Sequence, residues 1–383
     1  MTERSLVLWK SEDNEPVVAR VAIAGDFLPA GKLELPRSGA WDDAAAALAP
    51  YLKDVTTAFV NLECAIDVGG LGARPLEGLG QIVSAPLASL DYLGAIRSVA
   101  VGFANNHTYD FGKAGVERTR LALAHRNLTL IGAGRSTAGP PDVFVWQGPR
   151  EIKIGFWAAA KASHDLASSG SAGVEPATIR RAKQAIEQIR SHGAQFSIAL
   201  LHAGVLRANR PDPADAKVMD SMAELGFDIV AASHSHRISG ARQTAIDRAS
   251  PTFCFYGLGS IVSGYIASPI EREGLIVVAG FKSCGSLASL EVRPVWLAAS
   301  GFGEAPSVET SRTILNRFQC LSAEIADGSS KKLFYQEASQ SLVKLYLRDA
   351  RAAFRESGVL GLARKTGRVR MRHLRRLAHG FLR

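Results

Sequence analysis

Side chains that can bind metal ions occur in five short clusters along this 383-residue chain. Carboxylate and amide oxygens together with imidazole suit manganese, iron or zinc better than magnesium alone. A carboxylate such as Glu63 can bridge two ions roughly 3.5–4 Å apart, and the ions can then activate a water molecule. His234 and His236 stand two positions apart and can both face one cavity. A site for one or two divalent metal ions is therefore predicted from Gly25-Asp26, Asn61-Leu62-Glu63, Asn105-Asn106-His107 with Asp110 and Gly112, His202-Ala203-Gly204 and His234-Ser235-His236.

Each cluster follows a Val- and Ile-rich segment, and these segments alternate with helical patterns, as is typical of a layered α/β fold. Open α/β sheets bind ligands beyond the carboxyl ends of their strands. The strands predicted before the clusters span residues 17–24, 58–62, 99–104, 196–201 and 229–232. Helices are predicted at 114–126, 178–192 and 213–225, and later strands at 252–256, 275–279 and 290–295.

The order of these motifs resembles the CapA domain of capsule synthesis and poly-γ-glutamate biosynthesis, a branch of the calcineurin-like metallophosphoesterase superfamily. The similarity extends over residues 21–263, and its most specific part is the Asn-Asn-His-x-x-Asp-x-Gly run within 104–112. Ile131-Gly132-Ala133-Gly134 follows at the spacing usual in the family, and residues 255–260 read Phe-Tyr-Gly-Leu-Gly-Ser. The resemblance implies an α/β fold built as a four-layer α-β-β-α sandwich.

The resemblance also implies roles for individual residues. His107 becomes a candidate catalytic acid, because imidazole can protonate a leaving oxygen near neutral pH. Asn105 and Asp110 would support the ligands from behind. The implied metal ligands are Asp26, Glu63, Asn106, His202, His234 and His236.

The chain departs from the family pattern at several places in the site. Val205-Leu206 stands where an acidic and aromatic pair is usual, and residues 232–236 read Ala-Ser-His-Ser-His instead of Gly-His-His-Pro-His. Ser260 and Gly264 replace the usual Asn and Asp of the Leu-Gly-Asn strand, and Leu28 stands where many related phosphoesterases have a histidine ligand. One of the two metal positions is therefore expected to be weak or empty.

Two functions are compatible with these residues. The first is a metal-dependent hydrolase of the CapA type, acting on a phosphoester or amide of a cell-envelope polymer or peptide in capsule or exopolysaccharide biosynthesis. The second is a non-catalytic module that binds polymer or partner proteins during capsule assembly, because a metal-binding cleft can persist after catalysis is lost. Taken singly, Asp26 could be a helix cap and His202 a core histidine, but the order of five clusters favours a shared site. The expected partner is an anionic polymer or peptide substrate.

Positive charge is concentrated at the C-terminus. Residues 331–383 contain fourteen Lys and Arg against three acidic side chains, a net of +11, so the first 330 residues carry −2 of the chain's +9. We expect a CapA-like domain over residues 1–306 and a basic amphipathic helical tail over 307–383. The tail could pack on the sandwich or bind an anionic membrane surface. Nucleic acid is a less favoured partner because stacking aromatic residues are scarce there.

Composition excludes several classes of protein. With 47% hydrophobic and 21% charged residues, the chain can bury a core and is not predominantly disordered. The four dispersed cysteines contain no Cys-x-x-Cys pair, so neither a disulfide framework nor a thiolate zinc site is indicated. We find neither a signal-like N-terminal segment nor a run of about 18 apolar residues. We therefore expect a cytoplasmic protein that can attach peripherally to the inner membrane face.

Overall fold

The computed structural model describes residues 4–13, 15–33, 39–72, 82–161, 163, 165–245 and 251–338. The part of the predicted basic amphipathic helical tail that follows residue 338 lies outside these ranges.

In chain order, the strands are β1 (Leu6–Lys10), β2 (Ala19–Leu28), β3 (Thr57–Leu62), β4 (Ala65–Ile66), β5 (Ser84–Ala85), β6 (Ser98–Gly102), β7 (Thr129–Ile131), β8 (Ala133–Arg135), β9 (Val143–Gln147), β10 (Lys153–Ala160), β11 (Gly173–Val174), β12 (Phe196–His202), β13 (Ile229–Ser233), β14 (Ala241–Ala245), β15 (Thr252–Phe255), β16 (Ser260–Ser263), β17 (Glu273–Phe281), β18 (Leu287–Leu297) and β19 (Gly303–Glu304). The α-helices are α1 (Ala40–Leu48), α2 (Ser89–Ala95), α3 (Gly112–Ala124), α4 (Ile179–Ser191), α5 (Pro213–Leu225) and α6 (Val308–Ala326). Residues 330–338 are also helical and are called helical segment 330–338 below.

Two large mixed sheets form the centre of the fold. The larger has the order β1-β18-β17-β2-β3-β6-β7, with β16 paired to β2 and β19 to β18. Its strands β2, β3, β6 and β7 are parallel. The smaller has the order β14-β15-β13-β12-β10-β9, in which β10, β12, β13 and β15 are parallel. The parallel strands of each sheet therefore bring their carboxyl ends to one edge, where ligand sites are expected.

The two sheets pack face to face through aromatic residues. The ring of Phe59 in β3 lies 4.7 Å from that of Phe156 in β10. Phe196 in β12 meets Phe281 in β17 edge to face, with ring centroids 4.8 Å apart. All four side chains belong to one buried apolar core that both sheets share. This shared core fixes the distance between the two sheets.

Helices cover the outer faces of both sheets. On the larger sheet, Phe27 of β2 packs against Trp41 of α1 and Tyr92 of α2. On the smaller sheet, Trp157 of β10 stacks on Phe227 within a second core that also contains residues of α4 and α5. The four-layer α-β-β-α sandwich predicted from the sequence is thereby confirmed.

Helix α6 lies just beyond the domain boundary predicted at residue 306. Its N-cap hydroxyl, Ser307 Oγ, accepts a hydrogen bond from the backbone N–H of Thr310 at 3.1 Å. Ile314, Phe318 and Leu321 are buried in the core that the two sheets share. The segment after residue 306 thus begins with a helix packed on the sandwich. None of the helices in the described ranges has the length and apolar character that would let it cross a membrane.

Candidate metal centre

All five sequence clusters meet at one edge of the sandwich, where strand ends of both sheets come together. The larger sheet contributes Asp26 near the end of β2, Glu63 directly after β3, and residues 105–107 beyond β6. The smaller sheet contributes His202 at the end of β12 and the turn 234–236 after β13. Because the site lies across two sheets, each group of candidate ligands draws on distant parts of the chain.

Gly25 permits a close approach of backbone segments beside the site. A Cβ atom at this position would lie 2.0 Å from the carbonyl oxygen of Gly259. The same carbonyl accepts a hydrogen bond from the N–H of Asp26 at 3.0 Å. Only glycine therefore fits before Asp26, since it has no side chain to occupy this space.

The first group of potential ligands contains Glu63, His202 and His234, whose ligand atoms lie within 4.8 Å of one another. His202 Nε2 is 3.4 Å from Glu63 Oε1 and 2.6 Å from Oδ1 of Asn106. The rings of His202 and His234 have centroids 4.4 Å apart. One carboxylate, one amide oxygen and two imidazoles surround a common space, and this donor set suits a divalent transition metal ion.

The second group contains Asp26, Glu63 and His236, again within 4.8 Å. His236 Nδ1 lies 3.1 Å from Asp26 Oδ2 and 3.6 Å from Glu63 Oε2. Leu28 is buried and adds no ligand atom to this group. Ser260 places its hydroxyl 3.4 Å from His236 Nδ1. Glu63 belongs to both groups, which is the placement a bridging carboxylate needs.

The turn that carries the two histidines has an unusual backbone. His234 has φ of 126° and His236 has φ of 55°, values that non-glycine residues adopt only where their surroundings hold them. The N–H of His234 donates to Asp26 Oδ2 at 3.2 Å. The N–H of Arg207 donates to the carbonyl of Ser235 at 2.9 Å. These bonds hold the turn against both the larger sheet and the loop after β12.

Within the residues that the structure describes, the buried atoms His234 Nδ1 and Glu63 Oε2 have no hydrogen-bond partner. Buried polar groups are nearly always paired, so an orphan imidazole nitrogen and an orphan carboxylate oxygen in one cleft need an explanation. Both atom types are metal ligands. The residues present therefore fit a divalent metal ion.

Burial and mutual charge shift the pKa values of the site's ionisable groups in both directions. Burial and the charge of Asp26 raise the pKa of Glu63 well above its ordinary value. Burial raises the pKa of Asp26 too, but the hydrogen bond and charge of His236 outweigh it and leave that pKa lowered. Burial and the charge of His236 lower the pKa of His234 to about 4, and burial and His234 lower the pKa of His202. For His236, burial lowers the pKa, but Glu63 and Asp26 raise it to about 9.

His107 belongs to neither group of candidate ligands. Its Nδ1 is 2.8 Å from Oδ2 of Asp110, and that oxygen also accepts the N–H of Val83 at 2.9 Å. The N–H of His107 donates to Oδ1 of Asn105 at 3.0 Å, and Asn105 Nδ2 donates to the carbonyl of Leu62 at 2.7 Å. Asn105 and Asp110 thus hold His107, and Asn105 also bonds to the end of β3, the strand that Glu63 follows.

Asn61 is a site residue to which sequence reasoning assigned no role. Its Nδ2 donates to Asp26 Oδ1 at 2.7 Å and lies 3.2 Å from His202 Nδ1. Asn61 therefore contacts one candidate ligand of the larger sheet, Asp26, and one of the smaller sheet, His202. Its position two residues before Glu63 at a strand end was the available signal, because alternate residues of a strand face the same side.

Among solved structures, the chain is similar to a calcineurin-like phosphoesterase, YfkN, from Bacillus subtilis, with 14% sequence identity and a TM-score of 0.45. This match covers 80% of the present chain and 99% of the other. A 5'-nucleotidase precursor from Thermus thermophilus matches with 13% identity and a TM-score of 0.46, over 80% of this chain and 59% of the other.

Curated relatives include the PGA biosynthesis protein CapA of Bacillus subtilis, 26% identical over 54% of this chain and 53% of that protein. The capsule biosynthesis protein CapA of Bacillus anthracis is 26% identical over 42% of this chain and 39% of that protein. The chain thus spans about half or less of the length of these two relatives. A probable polyglutamine synthesis accessory protein of Mycobacterium tuberculosis is 26% identical over 73% of this chain and 76% of that protein.

The family described as bacterial capsule synthesis protein PGA_cap matches residues 20–265. This stretch is more than half of the chain and contains all five ligand clusters together with the parallel strands that carry them. The family resemblance inferred from the motifs is thereby confirmed. The chain belongs to the PGA_cap family of bacterial capsule synthesis proteins.

Proposed function

We propose that this chain is a metal-dependent hydrolase of the CapA type that acts on a phosphoester or amide of a cell-envelope polymer or peptide, in capsule or exopolysaccharide biosynthesis. The observation that carries the proposal is the arrangement of two groups of ligand atoms around the shared carboxylate of Glu63. The relatives' names refer to PGA, capsule and polyglutamine synthesis, which supports a polymer as the partner. We propose an anionic polymer or peptide as the substrate class.

The four residues Glu63, Asn106, His202 and His234 would hold one ion, and Asp26, Glu63 and His236 the other. One or two bound Mn, Fe or Zn ions would supply a water molecule of lowered pKa and would polarise an oxygen of the scissile group. His202 and His234 have lowered pKa values, so both imidazoles are unprotonated near neutral pH and can offer their lone pairs.

His107 is the proposed general acid. The contact of its Nδ1 with Asp110 leaves Nε2 to give a proton to the leaving atom. The N–H of Val83 holds the same carboxylate oxygen, so the orientation of the imidazole is determined by a short chain of contacts. Phosphoester and amide hydrolysis both need a proton on the leaving atom, so the residue suits either bond.

A non-catalytic polymer-binding module is the second candidate function, and specific residues favour it. Leu28 is a buried apolar side chain where related phosphoesterases have a ligand. Val205 packs into an apolar cluster with Phe334 instead of presenting a polar group to the cleft. A centre with one weak position could bind a metal ion and a polymer without turnover.

Metal content and hydrolysis together test the proposal. Purified protein should contain one to two equivalents of metal by plasma mass spectrometry and should hydrolyse bis(p-nitrophenyl) phosphate or poly-γ-glutamate. Glu63→Gln should lose metal and activity, whereas His192→Gln, a change on the exposed end of α4, should lose neither. Metal binding without turnover of either substrate would favour the non-catalytic module, and absence of metal would reject both the centre and the hydrolase.

The division at residue 306 and the role of the tail are also proposals. The basic residues beyond 358 suit a peripheral contact with an anionic membrane surface, because each basic residue near such a surface contributes about 1 kcal/mol. This attachment would place a metal-dependent hydrolase at the inner membrane face.

A further inference from the structure

The turn that carries His234 and His236 is connected to a helix about one hundred residues later in the chain. Glu337, in helical segment 330–338, accepts a hydrogen bond from the N–H of Asn209 at 2.9 Å through Oε1. The same oxygen lies 3.8 Å from Nη1 of Arg237, the residue directly after His236. The side chain of Glu337 is only 17% exposed, so these contacts are largely shielded from solvent.

The loop after His202 is held by the same helical segment. Phe334 is fully buried and packs with Ala208 and Val205 of that loop. Arg210, further along the loop, forms a two-bond ion pair with Glu324 of α6, at 2.7 and 2.8 Å. The loop between His202 and α5 is therefore fixed by apolar packing as well as by charge.

The loop and the histidine turn are also joined to each other. Arg237 Nη1 donates to Asn209 Oδ1 at 3.3 Å, and Asn209 Nδ2 donates to the carbonyl of Ile238 at 3.0 Å. Arg237 is further paired with the buried carboxylate of Glu271 at 3.7 Å. Glu337 thus contacts both Asn209, in the loop after His202, and Arg237, directly after the histidine turn.

The backbone conformation of the turn explains why these contacts affect the positions of the His234 and His236 side chains. His234 and His236 both have positive φ, and conformations of this kind persist only when neighbouring structure holds them. Loss of a contact to Arg237 removes one of the constraints on the residue that follows His236. The histidine rings would then spend less time in the arrangement that the metal needs.

We propose that Glu337 is a positioning residue for the metal centre, and that docking of helical segment 330–338 and metal binding are coupled. The inference rests on the metal centre of the proposed function. Coupling between two sites is reciprocal, so loosening the helical segment weakens metal binding, and metal binding tightens the docked segment.

The first test is calorimetric titration of metal-free full-length protein with Mn²⁺ and, separately, with Zn²⁺. Glu337→Gln removes the charge but keeps the size, and it should weaken binding about tenfold or more, as loss of an outer support typically does. Lys332→Gln is the matched control on the exposed side of the same segment. Asp54→Asn breaks a part-buried ion pair near the amino end of β3, away from the site, and controls for general destabilisation. Both controls should bind like the wild type, and an unchanged affinity of Glu337→Gln would overturn the proposal.

The second test needs no variant and therefore holds even if Glu337→Gln fails to fold. Amide hydrogen exchange in the wild-type protein should slow in residues 330–338 when Mn²⁺ or Zn²⁺ is added, with a smaller change in α4. A wild-type protein that binds either ion with no change in residues 330–338 would reject the coupling alone. A wild-type protein that binds neither ion would reject the coupling and the proposed function together.

Discussion

Oδ1 of Asn106 lies 2.6 Å from Nε2 of His202, although 96 positions separate the two residues in the chain. Asn106 follows β6 of the larger sheet, and His202 ends β12 of the smaller one. The first ligand group is therefore assembled across the interface between the sheets. Its geometry depends on how Phe59 and Phe156, and the rest of the shared core, set the distance between them.

The two metal positions should differ in affinity. Glu63, Asn106, His202 and His234 offer four side-chain ligands to one position, whereas Asp26, Glu63 and His236 offer three to the other. We expect two binding steps separated by at least about tenfold, equivalent to about 1.4 kcal/mol. In a Mn²⁺ titration, His234→Ala should remove the tighter step and His236→Ala the weaker one. The assignment is wrong if His236→Ala removes the tighter step.

His107 and Glu63 should respond differently to substitution. His107→Ala should lower turnover by about 10²–10⁴, the usual contribution of a general acid, and leave the metal content nearly unchanged. Glu63→Gln should instead lose metal, because Glu63 belongs to both ligand groups. Turnover of bis(p-nitrophenyl) phosphate and metal analysis of each variant measure the two effects. Equal metal loss in both variants would contradict the division of roles, and activity that survives complete chelation would contradict metal catalysis.

A buried ion pair outside the site should contribute strongly to folding stability. Arg181 of α4 is fully buried and binds both carboxylate oxygens of Glu175, at 2.6 and 2.8 Å. Arg181→Ala leaves the buried charge of Glu175 unpaired and should lower the free energy of unfolding by about 3–5 kcal/mol. Urea denaturation measures this loss. Arg180→Ala, at the exposed neighbouring position, should change the same quantity by about 0.5 kcal/mol or less, and a similar loss in both variants would show that the pair has no special role.

The pH dependence of stability should report the contact between Asp54 and Arg293. Hydrogen bonds from Arg293, at 2.6 and 2.7 Å, lower the pKa of Asp54 below its ordinary value of 3.8. A carboxyl group whose pKa is lower in the folded state than in the unfolded state stabilises the fold at pH values above its unfolded-state pKa. This stabilisation is lost as the pH falls through the folded-state pKa.

Asp54→Asn should therefore be less stable than the wild type at neutral pH, and the difference should shrink once the pH falls below 3.8. Urea denaturation over a range of pH values measures the difference, and Asp42→Asn, an exposed change in α1, is the control. A difference that stays constant down to the lowest pH would show that the charge of Asp54 is not the cause.

The basic tail should attach the protein to anionic vesicles. Deleting the residues after Gly358 should abolish binding to phosphatidylserine-containing vesicles and preserve metal binding. Neither the full chain nor the truncated protein should bind neutral vesicles. Binding of the full chain should weaken as salt screens the attraction, which extends about 10 Å at 0.1 M salt. Co-sedimentation with vesicles measures both effects. A truncated protein that is insoluble or unfolded would instead show that the tail packs on the sandwich.

Local patterns predicted the elements that depend on local preferences. The helix predicted at residues 213–225 is α5, and it begins where Asp212 caps the N–H of Ala214 at 2.9 Å. Strand β10 was not predicted, because its carboxyl half is rich in alanine and lacks β-branched residues. Its position between β9 and β12, with burial on both faces, makes it a strand. Non-local packing therefore decided this element.

The sequence by itself determined the family, the layered fold class and the residue types that gather at the strand ends. Those features follow from residue order, hydrophobic periodicity and the rule that parallel strands end at one edge. The residue types also indicated Glu63 as the bridging carboxylate, and its membership of both ligand groups agrees with that expectation. Only the tertiary structure decided that Asn61 connects Asp26 to His202 and that Glu337 reaches the histidine turn. Each of these contacts joins segments far apart in the chain, so its distance is set by the packing of the sheets and helices, which no local pattern specifies.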